Sequence, residues 1–144
     1  MQQTLILLKP DCIQKKLCGR VITRFEEAGF KIAGCKMIDL SPRILAEHYA
    51  HIAGKPFYPD VEKFMSETPV IALVLEGEGI IEKMRKMLGV TDCLEAEKGT
   101  IREQWGSKEP GKSKMKNILH ASDSEEAAVK EIRRFFSEDE VFEK

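Results

Sequence analysis

The sequence has no excess of charge of either sign: 23 basic residues stand against 24 acidic ones, and the formal net charge is −1. The charge balance therefore gives no reason to expect a specific nucleic acid or an anionic membrane as a partner. No apolar run reaches the roughly 20 residues of a membrane-spanning helix, and the N-terminus lacks a secretion-signal pattern. We expect a cytoplasmic protein that does not bind a membrane.

The sequence also lacks the usual patterns of metal-binding and redox cysteines. Cys12, Cys18, Cys35 and Cys93 show no C-x-x-C spacing, and no histidines stand at zinc-site intervals. Reduced thiols are the simplest interpretation. A Walker A loop and a carboxylate cluster for a protein-built metal site are missing as well. Without an internal repeat or a second composition class, residues 1–144 are expected to form a single domain with its own core.

What the sequence does contain is a series of strand and helix patterns. Continuous apolar runs at 4–8 and 70–75 predict buried central strands, and a less regular run at about 30–40 predicts a third strand. Amphipathic patterns predict helices at 19–28 and 80–88, and Ser41-Pro42 predicts the start of a further helix. That helix is followed by a shorter one that contains Val61, Phe64 and Met65. Residues 90–116 show no periodicity, which predicts a long loop that is either functional or mobile.

Near the C-terminus, a short strand at Ile118-Leu119 ends on His120 and runs directly into a helix. Ser122 and Glu125 have the spacing of a capping box, and Asp123 is an alternative N-cap.

His120 is the first candidate for chemistry. Glu131 lies beside the apolar face of the last helix and could reach back toward the strand end. A carboxylate that holds one ring nitrogen leaves the other nitrogen as a nucleophile. A half-buried histidine without chemistry is the alternative, and for an isolated histidine it is the more common case. Lys9, at the end of the first strand, could meet a ligand or simply be a solvated lysine.

The order of the elements predicts the fold class. Without the inserted helical pair and the long loop, the order is β-α-β-β-α-β. This is the ferredoxin-like α+β fold, a four-stranded antiparallel sheet with helices packed on it. The continuous apolar strands imply that the second face of the sheet is covered too, by the helices at 42–66, by the long loop or by a partner subunit.

Six short motifs occur in the order and register of a known family, and the chain resembles the nucleoside diphosphate kinases. The motifs are Leu8-Lys9-Pro10-Asp11, His48-Tyr49, Pro56-Phe57-Tyr58, Met87-Leu88-Gly89, Gly99-Thr100-Ile101-Arg102, and Asn117-Ile118-Leu119-His120 with Ser122-Asp123.

The resemblance implies a ping-pong phosphotransferase that serves NTP and dNTP synthesis. The γ-phosphoryl group of a nucleoside triphosphate such as ATP passes to His120 and then to a nucleoside diphosphate, with broad tolerance of base and sugar. Mg²⁺ is expected on the nucleotide phosphates, so no metal site of the protein's own is expected. The resemblance also implies a homo-oligomer built from dimers, with a tetramer or a hexamer both possible.

The resemblance further assigns roles to individual residues. Phosphate-binding positions of the family match Lys9, Arg85, Thr91 and Arg102, and the position that contacts the sugar 3′-hydroxyl and the lysine matches Asn117. The base-stacking aromatic and its apolar neighbour match Phe57 and Val61. A tyrosine beside the histidine matches Tyr49, and the pair that orients the imidazole matches Glu131 and Ser122.

The chain departs from the family pattern at several positions. Cys12 replaces a glycine, and Ala121 replaces the glycine that usually follows the histidine; Ala121 is strained if that backbone needs a positive φ, and neutral otherwise. Asp92-Cys93-Leu94 and Lys98 also replace common family residues, and the segment between Trp105 and Asn117 is a few residues longer than usual. Its composition favours a mobile surface loop, in which Lys116 is best placed to approach nucleotide phosphates.

Two other kinds of function are compatible with parts of this pattern. A non-catalytic nucleotide sensor would keep Phe57 and the arginines, but it would not need His120 together with Glu131. A nucleic-acid or protein interaction module is common on ferredoxin-like folds, but it would need a basic face or exposed aromatics on the sheet. The predicted strands are aliphatic, which favours the enzyme.

Overall fold

The structure is a computed structural model that describes residues 1–143. Its strands are β1 (Gln2–Leu8), β2 (Lys31–Ile38), β3 (Val70–Gly77) and β4 (Leu119–Ala121). Its helices are α1 (Pro10–Gln14), α2 (Cys18–Glu27), α3 (Pro42–His48), α4 (Tyr58–Met65), α5 (Ile80–Leu88), α6 (Ile101–Trp105) and α7 (Glu125–Phe135), followed by a 3-10 turn at Glu138–Glu140.

The four strands form one sheet in the order β2-β3-β1-β4, and every neighbouring pair is antiparallel. This is the predicted ferredoxin-like arrangement, and the α+β prediction is confirmed. β1 and β3 are central because both carry continuous apolar runs; Leu5 pairs with Val74 and Leu7 with Ala72, and all four are buried. The fold therefore places the end of β1 beside β4.

Helices cover both faces of the sheet. On one face, Val21 of α2 and Met84 of α5 pack against Ile6 and Leu73. Alternate residues of β1 and β3 point to the other face, where Leu5, Leu7, Ala72 and Val74 meet Leu45 of α3, Phe64 of α4 and Phe135 of α7. The helices at 42–66 therefore cover the second face of the sheet together with α7. This was one of the three options that the sequence left open.

The predicted long loop at 90–116 is wrong in one respect, because it contains α6. Thr100 is the N-cap of this helix, and its hydroxyl accepts a hydrogen bond from the Glu103 amide. Ile101 is fully buried in the core. With five residues, α6 is too short to show a helical period, and its stability comes from the cap and the buried side chain. The equally short α1 was not predicted at all.

The predicted N-cap of the last helix is also wrong. Ser124 caps α7, and its hydroxyl accepts from the Ala127 amide. Ser122 cannot do so because its side chain is buried and bonded elsewhere. The last strand starts one residue later than predicted, at Leu119, because Ile118 has a left-handed φ of 79°. Ala121 lies within extended β4, so its replacement of glycine causes no backbone strain.

Hydrogen bonds hold the added segment between Trp105 and Asn117 in place, although its composition predicts a mobile loop. Ser113 is 2% exposed, and its hydroxyl donates to Asp92 Oδ1 at 2.6 Å. The Cys93 thiol donates to the Ser113 carbonyl at 3.3 Å, and the Ser107 amide donates to the Lys116 carbonyl at 3.0 Å. Two of the departures from the family pattern, at 92–93 and at 106–113, therefore pack against each other.

Within residues 1–143, every helix is too short or too polar to cross a membrane.

Candidate active site

A cleft of about 1060 Å³ opens beside β4, between α3, α5, α7 and the segment that follows α5. It brings together most of the predicted site residues: Lys9, Tyr49, Arg85, Thr91, Arg102, Asn117, His120 and Glu131. Ser122 lies behind the cleft wall, and Phe57 and Val61 do not line the cleft. The segment 107–116 contributes Lys114 to the lining, where the sequence favoured Lys116.

At the centre of the cleft, His120 is held by a carboxylate. Its Nε2 lies 2.7 Å from Glu131 Oε1, and the two side chains are 20% and 14% exposed. The Ser122 hydroxyl donates to the same carboxylate oxygen at 2.8 Å and accepts from the Leu5 amide at 3.0 Å. The chain Leu5–Ser122–Glu131–His120 thus anchors the imidazole to central strand β1. The predicted grouping of His120, Glu131 and Ser122 is found.

The same contacts determine the charge of the carboxylate and the tautomer of the ring. Burial by itself raises the pKa of Glu131, but the hydrogen bonds from His120 and Ser122 outweigh burial and lower that pKa below its usual range. Glu131 is therefore an anion that accepts two hydrogen bonds. Because the carboxylate can only accept, His120 Nε2 carries the proton, and the lone pair of Nδ1 remains free.

A second histidine lies against the first, and it was not predicted as a site residue. The His48 and His120 ring centroids are 4.6 Å apart with an edge-to-face angle of 84°. His48 Nδ1 accepts a hydrogen bond from the Arg134 guanidinium at 3.0 Å. Burial and the neighbouring His120 lower the pKa of His48 to about 3, so its ring stays neutral. The sequence gave one indication that Arg134 lies near the site. Arg134 follows Glu131 by three residues, so the two side chains lie on the same face of α7.

Lys9 is buried and points to Asn117. Its ammonium donates to Asn117 Oδ1 at 2.7 Å, and Asn117 Nδ2 donates to the carbonyls of Thr91 and Lys114 at 3.0 and 3.2 Å. Burial, and next the charge of Arg102, lower the pKa of Lys9 from 10.5 to about 8. The predicted contact between the lysine and the asparagine is present.

The Arg102 guanidinium holds the backbone on both sides of the site. It donates to the carbonyls of Asn117, Gly89 and Leu119 at 3.1, 3.2 and 2.7 Å. Its side chain is buried, and burial lowers its pKa to about 10. The sequence predicted phosphate binding for Arg102 but gave no indication of these contacts with backbone carbonyls. The guanidinium has five N–H groups, so two are left for a ligand.

The remaining predicted site residues lie in the outer part of the cleft or outside its lining. Arg85 forms an exposed ion pair with Asp123 at 2.8 Å, which contributes little to stability and can exchange for an anionic ligand. Tyr49 is partly buried beside His48, and burial raises the pKa of its phenol. Phe57, at the start of α4, is 51% exposed. Val61 packs partly against the core of the second face.

Within residues 1–143, potential metal ligands converge at His48, His120 and Glu131, whose ligand atoms lie within 4.8 Å of one another. Hydrogen bonds already engage His48 Nδ1, His120 Nε2 and the near oxygen of Glu131. Two imidazoles and one carboxylate also do not form the oxygen-rich set that Mg²⁺ prefers. The cluster is better explained as an oriented histidine than as a metal site.

The chain is similar to known proteins along almost its whole length. The sequence profile of the nucleoside diphosphate kinases matches residues 2–141. The nucleoside diphosphate kinase of Rhodopirellula baltica is 45% identical over 140 residues, which cover 97% of this chain and 89% of that protein. The nucleoside diphosphate kinase of Methanocaldococcus jannaschii is 44% identical over 143 residues, 99% of each chain. A nucleoside diphosphate kinase of Halobacterium salinarum, solved in complex with CDP, superposes with a TM-score of 0.92 at 34% identity, and the match covers 99% of this chain and 92% of that one. The chain belongs to the nucleoside diphosphate kinase family.

Proposed function

We propose that His120 Nδ1 is the atom that carries the phosphoryl group in the kinase reaction of this family member. The main support for this proposal is the 2.7 Å hydrogen bond between His120 Nε2 and Glu131 Oε1. This hydrogen bond leaves Nδ1 with its lone pair inside the cleft. Nδ1 attacks the γ-phosphorus, the bond to the β,γ-bridging oxygen breaks, and a nucleoside diphosphate leaves. A second nucleoside diphosphate then takes the phosphoryl group by the reverse step.

The cations of the cleft are suited to the phosphates of the nucleotide. Phosphoryl transfer passes through a loose transition state, so an enzyme contributes mainly positioning and positive charge. Lys9, Arg85 and Arg102 all line the cleft that contains His120. We assign phosphate binding to these three residues and to Thr91, and contact with the sugar to Asn117.

Mg²⁺ is proposed to enter with the nucleotide as part of the substrate. The carboxylate next to His120 in the cleft is that of Glu131, and two hydrogen bonds already hold it. When bound to the phosphates, Mg²⁺ neutralises part of their charge.

A nucleotide sensor on the same fold would bind nucleotides without this histidine chemistry. It would not require the contact chain from Leu5 through Ser122 and Glu131 to His120, which the structure contains in full.

We also propose a homo-oligomer and a cytoplasmic location. Met37 is 59% exposed on edge strand β2, where an apolar residue suits a partner subunit. All four cysteines are free, as expected in a reducing compartment.

The direct test of the proposed reaction follows a phosphoryl group through the protein. Incubation with γ-labelled ATP and Mg²⁺ is expected to yield an acid-labile, alkali-stable label on the protein, which GDP removes to form labelled GTP. Absence of a labelled protein under conditions of full turnover would contradict the covalent mechanism.

Glu131→Gln is expected to slow phosphorylation of His120 by about 10- to 150-fold, because a hydrogen bond to a charged group contributes about 1.5–3 kcal/mol. Nucleotide affinity should hardly change, since Glu131 holds the imidazole and is not assigned a contact with the nucleotide. The measurement is the single-turnover rate together with the dissociation constant for ADP. Glu126→Gln is the matched control, because Glu126 lies on the same helix with a side chain 84% exposed. Equal rates in the two variants would show that Glu131 does not orient the ring.

Phe57→Ala is expected to weaken binding of all nucleotides by a similar factor. Stacking of a base on an aromatic ring contributes about 1–3 kcal/mol and does not distinguish one base from another. Dissociation constants for ADP, GDP, CDP and UDP measure the effect. Phe142→Ala is the control, since Phe142 is an exposed phenylalanine near the C-terminus to which no nucleotide contact is assigned. A strong preference for one base that persists in Phe57→Ala would reveal a group that reads the base edge.

A further inference from the structure

Two of the four cysteines are in contact, although their spacing in the sequence is not a recognised motif. The Sγ atoms of Cys12 and Cys18 are 3.7 Å apart. Cys12, in α1, is fully buried, and Cys18, at the start of α2, is partly exposed. A disulfide needs the sulfurs at about 2.05 Å, so the two sulfurs have to approach each other further before a bond forms.

The turn between α1 and α2 creates this contact. Lys16 has a left-handed φ of 58°, and the Leu17 amide donates to the carbonyl of Cys12 at 3.1 Å. The chain therefore folds back over five residues and places Cys18 above Cys12. Cys12 also stands where the family commonly has a glycine, so the pair is a feature of this chain rather than a requirement of the shared fold.

The two thiols have different environments. The Cys12 and Cys18 thiols share a hydrogen bond in which either sulfur can be the donor, and this contact lowers the pKa of Cys18. The same bond, together with burial, raises the pKa of Cys12. Cys18 is also the first residue of the ten-residue helix α2, where the helix dipole favours a thiolate. Cys18 is the more accessible of the two residues and begins a helix, so it is the more nucleophilic thiol, and Cys12 is its buried partner.

We propose that Cys12 and Cys18 form a reversible disulfide when the protein meets a hydroperoxide. The Cys18 thiolate attacks the peroxide oxygen, the O–O bond breaks, and Cys18 becomes a sulfenic acid while hydroxide leaves and takes a proton to become water. The Cys12 sulfur then attacks the Cys18 sulfur, the S–O bond breaks, and a second water leaves with the Cys12 proton. Two thiols and one hydroperoxide thereby give one disulfide and, for hydrogen peroxide, two waters. An external thiol reverses the bond by exchange.

The position of the pair connects it to the segment that precedes His120. The Asp11 carboxylate, next to Cys12, accepts a hydrogen bond from the Ile118 amide at 3.0 Å. The Cys12 amide donates to the carbonyl of Lys9 at 2.9 Å. A bond between Cys12 and Cys18 would therefore tether α1, which contains Asp11 and has Lys9 as its N-cap, to α2.

The test treats the reduced, folded protein with a small excess of hydrogen peroxide, removes the peroxide, and then alkylates the remaining thiols in denaturant. We expect two of the four thiols to become unreactive, the intact mass to fall by two hydrogens, and dithiothreitol to restore both. Lys15 and Lys16 lie between the cysteines, so trypsin separates them and the bond appears as two joined peptides. The oxidised protein should also unfold at a higher temperature than the reduced protein, because the bond restricts the unfolded chain.

Matched variants identify the two roles. In Cys12→Ala, we expect a sulfenic acid at Cys18 that dimedone traps; in Cys18→Ser, Cys12 should stay reduced. Cys35→Ser is the control, because Cys35 is an exposed cysteine on β2, and it should still form the bond. Oxidation of Cys35 without a joined Cys12–Cys18 peptide in the native wild-type protein would overturn the proposal. A joined peptide that forms only in denaturant would overturn it as well.

Discussion

His120→Ala is expected to form no phosphoenzyme and to lose about 10⁶-fold in turnover, the scale seen when a covalent nucleophile is removed. The imidazole ring is the group that receives the phosphoryl, and alanine offers no atom to replace it. Nucleotide binding should survive because Lys9 and Arg102 are held by backbone and amide contacts that do not involve the ring. The measurements are γ-phosphate labelling and the dissociation constant for ADP.

The other two histidines of the chain provide the controls for this variant. His51→Ala should label normally, since His51 lies only at the cleft edge and its side chain is exposed. His48 cannot replace His120, because its Nδ1 accepts from Arg134 and its ring is buried. Stable labelling of His120→Ala at any other residue would contradict the assignment of the carrier.

Lys9→Gln is expected to lower kcat/KM by about 10²- to 10³-fold, the usual cost of removing one preorganised charge from a transition-state site. Glutamine can still reach toward Asn117, so the loss would reflect the missing charge more than a structural change. Lys83→Gln is the matched control, because Lys83 is an exposed lysine of α5 that does not line the cleft. Similar kinetics for the two variants would remove Lys9 from the phosphate site.

The buried position of Lys9 also predicts a pH dependence. Its pKa is lowered to about 8, so the ammonium is present below that pH and is lost as the pH rises through it. Because kcat/KM reports the ionisations of the free enzyme, it should fall above about pH 8. Lys9→Arg keeps its charge in this range and should show no such decline, whatever its absolute rate. A wild-type profile that stays flat well above pH 8 would contradict the assignment.

The sequence by itself determined the parts of this protein that depend on local pattern. The apolar runs of β1 and β3 predicted buried central strands, since a strand covered on both faces has no polar alternation. The order of elements predicted the sheet, the motifs around His120 predicted the family, and most of the site residues assigned from that resemblance line the cleft. The pairing of His120 with Glu131 was also predictable, because both flank one short strand-to-helix junction.

Only the tertiary structure decided which side chains lie in contact across long separations. Ser122 looked like an N-cap but bonds to Leu5, 117 residues away in the chain, and Ser124 took its place. Arg102 holds the backbone carbonyl of Gly89, just after α5, together with those of Asn117 and Leu119, before and within β4. Cys12 meets Cys18 only because the turn at Lys16 reverses the chain. In each case, a buried polar group or thiol takes the partner that packing brings to it. An unsatisfied buried polar group is costly, and its partner is set by the folded geometry and not by spacing along the chain.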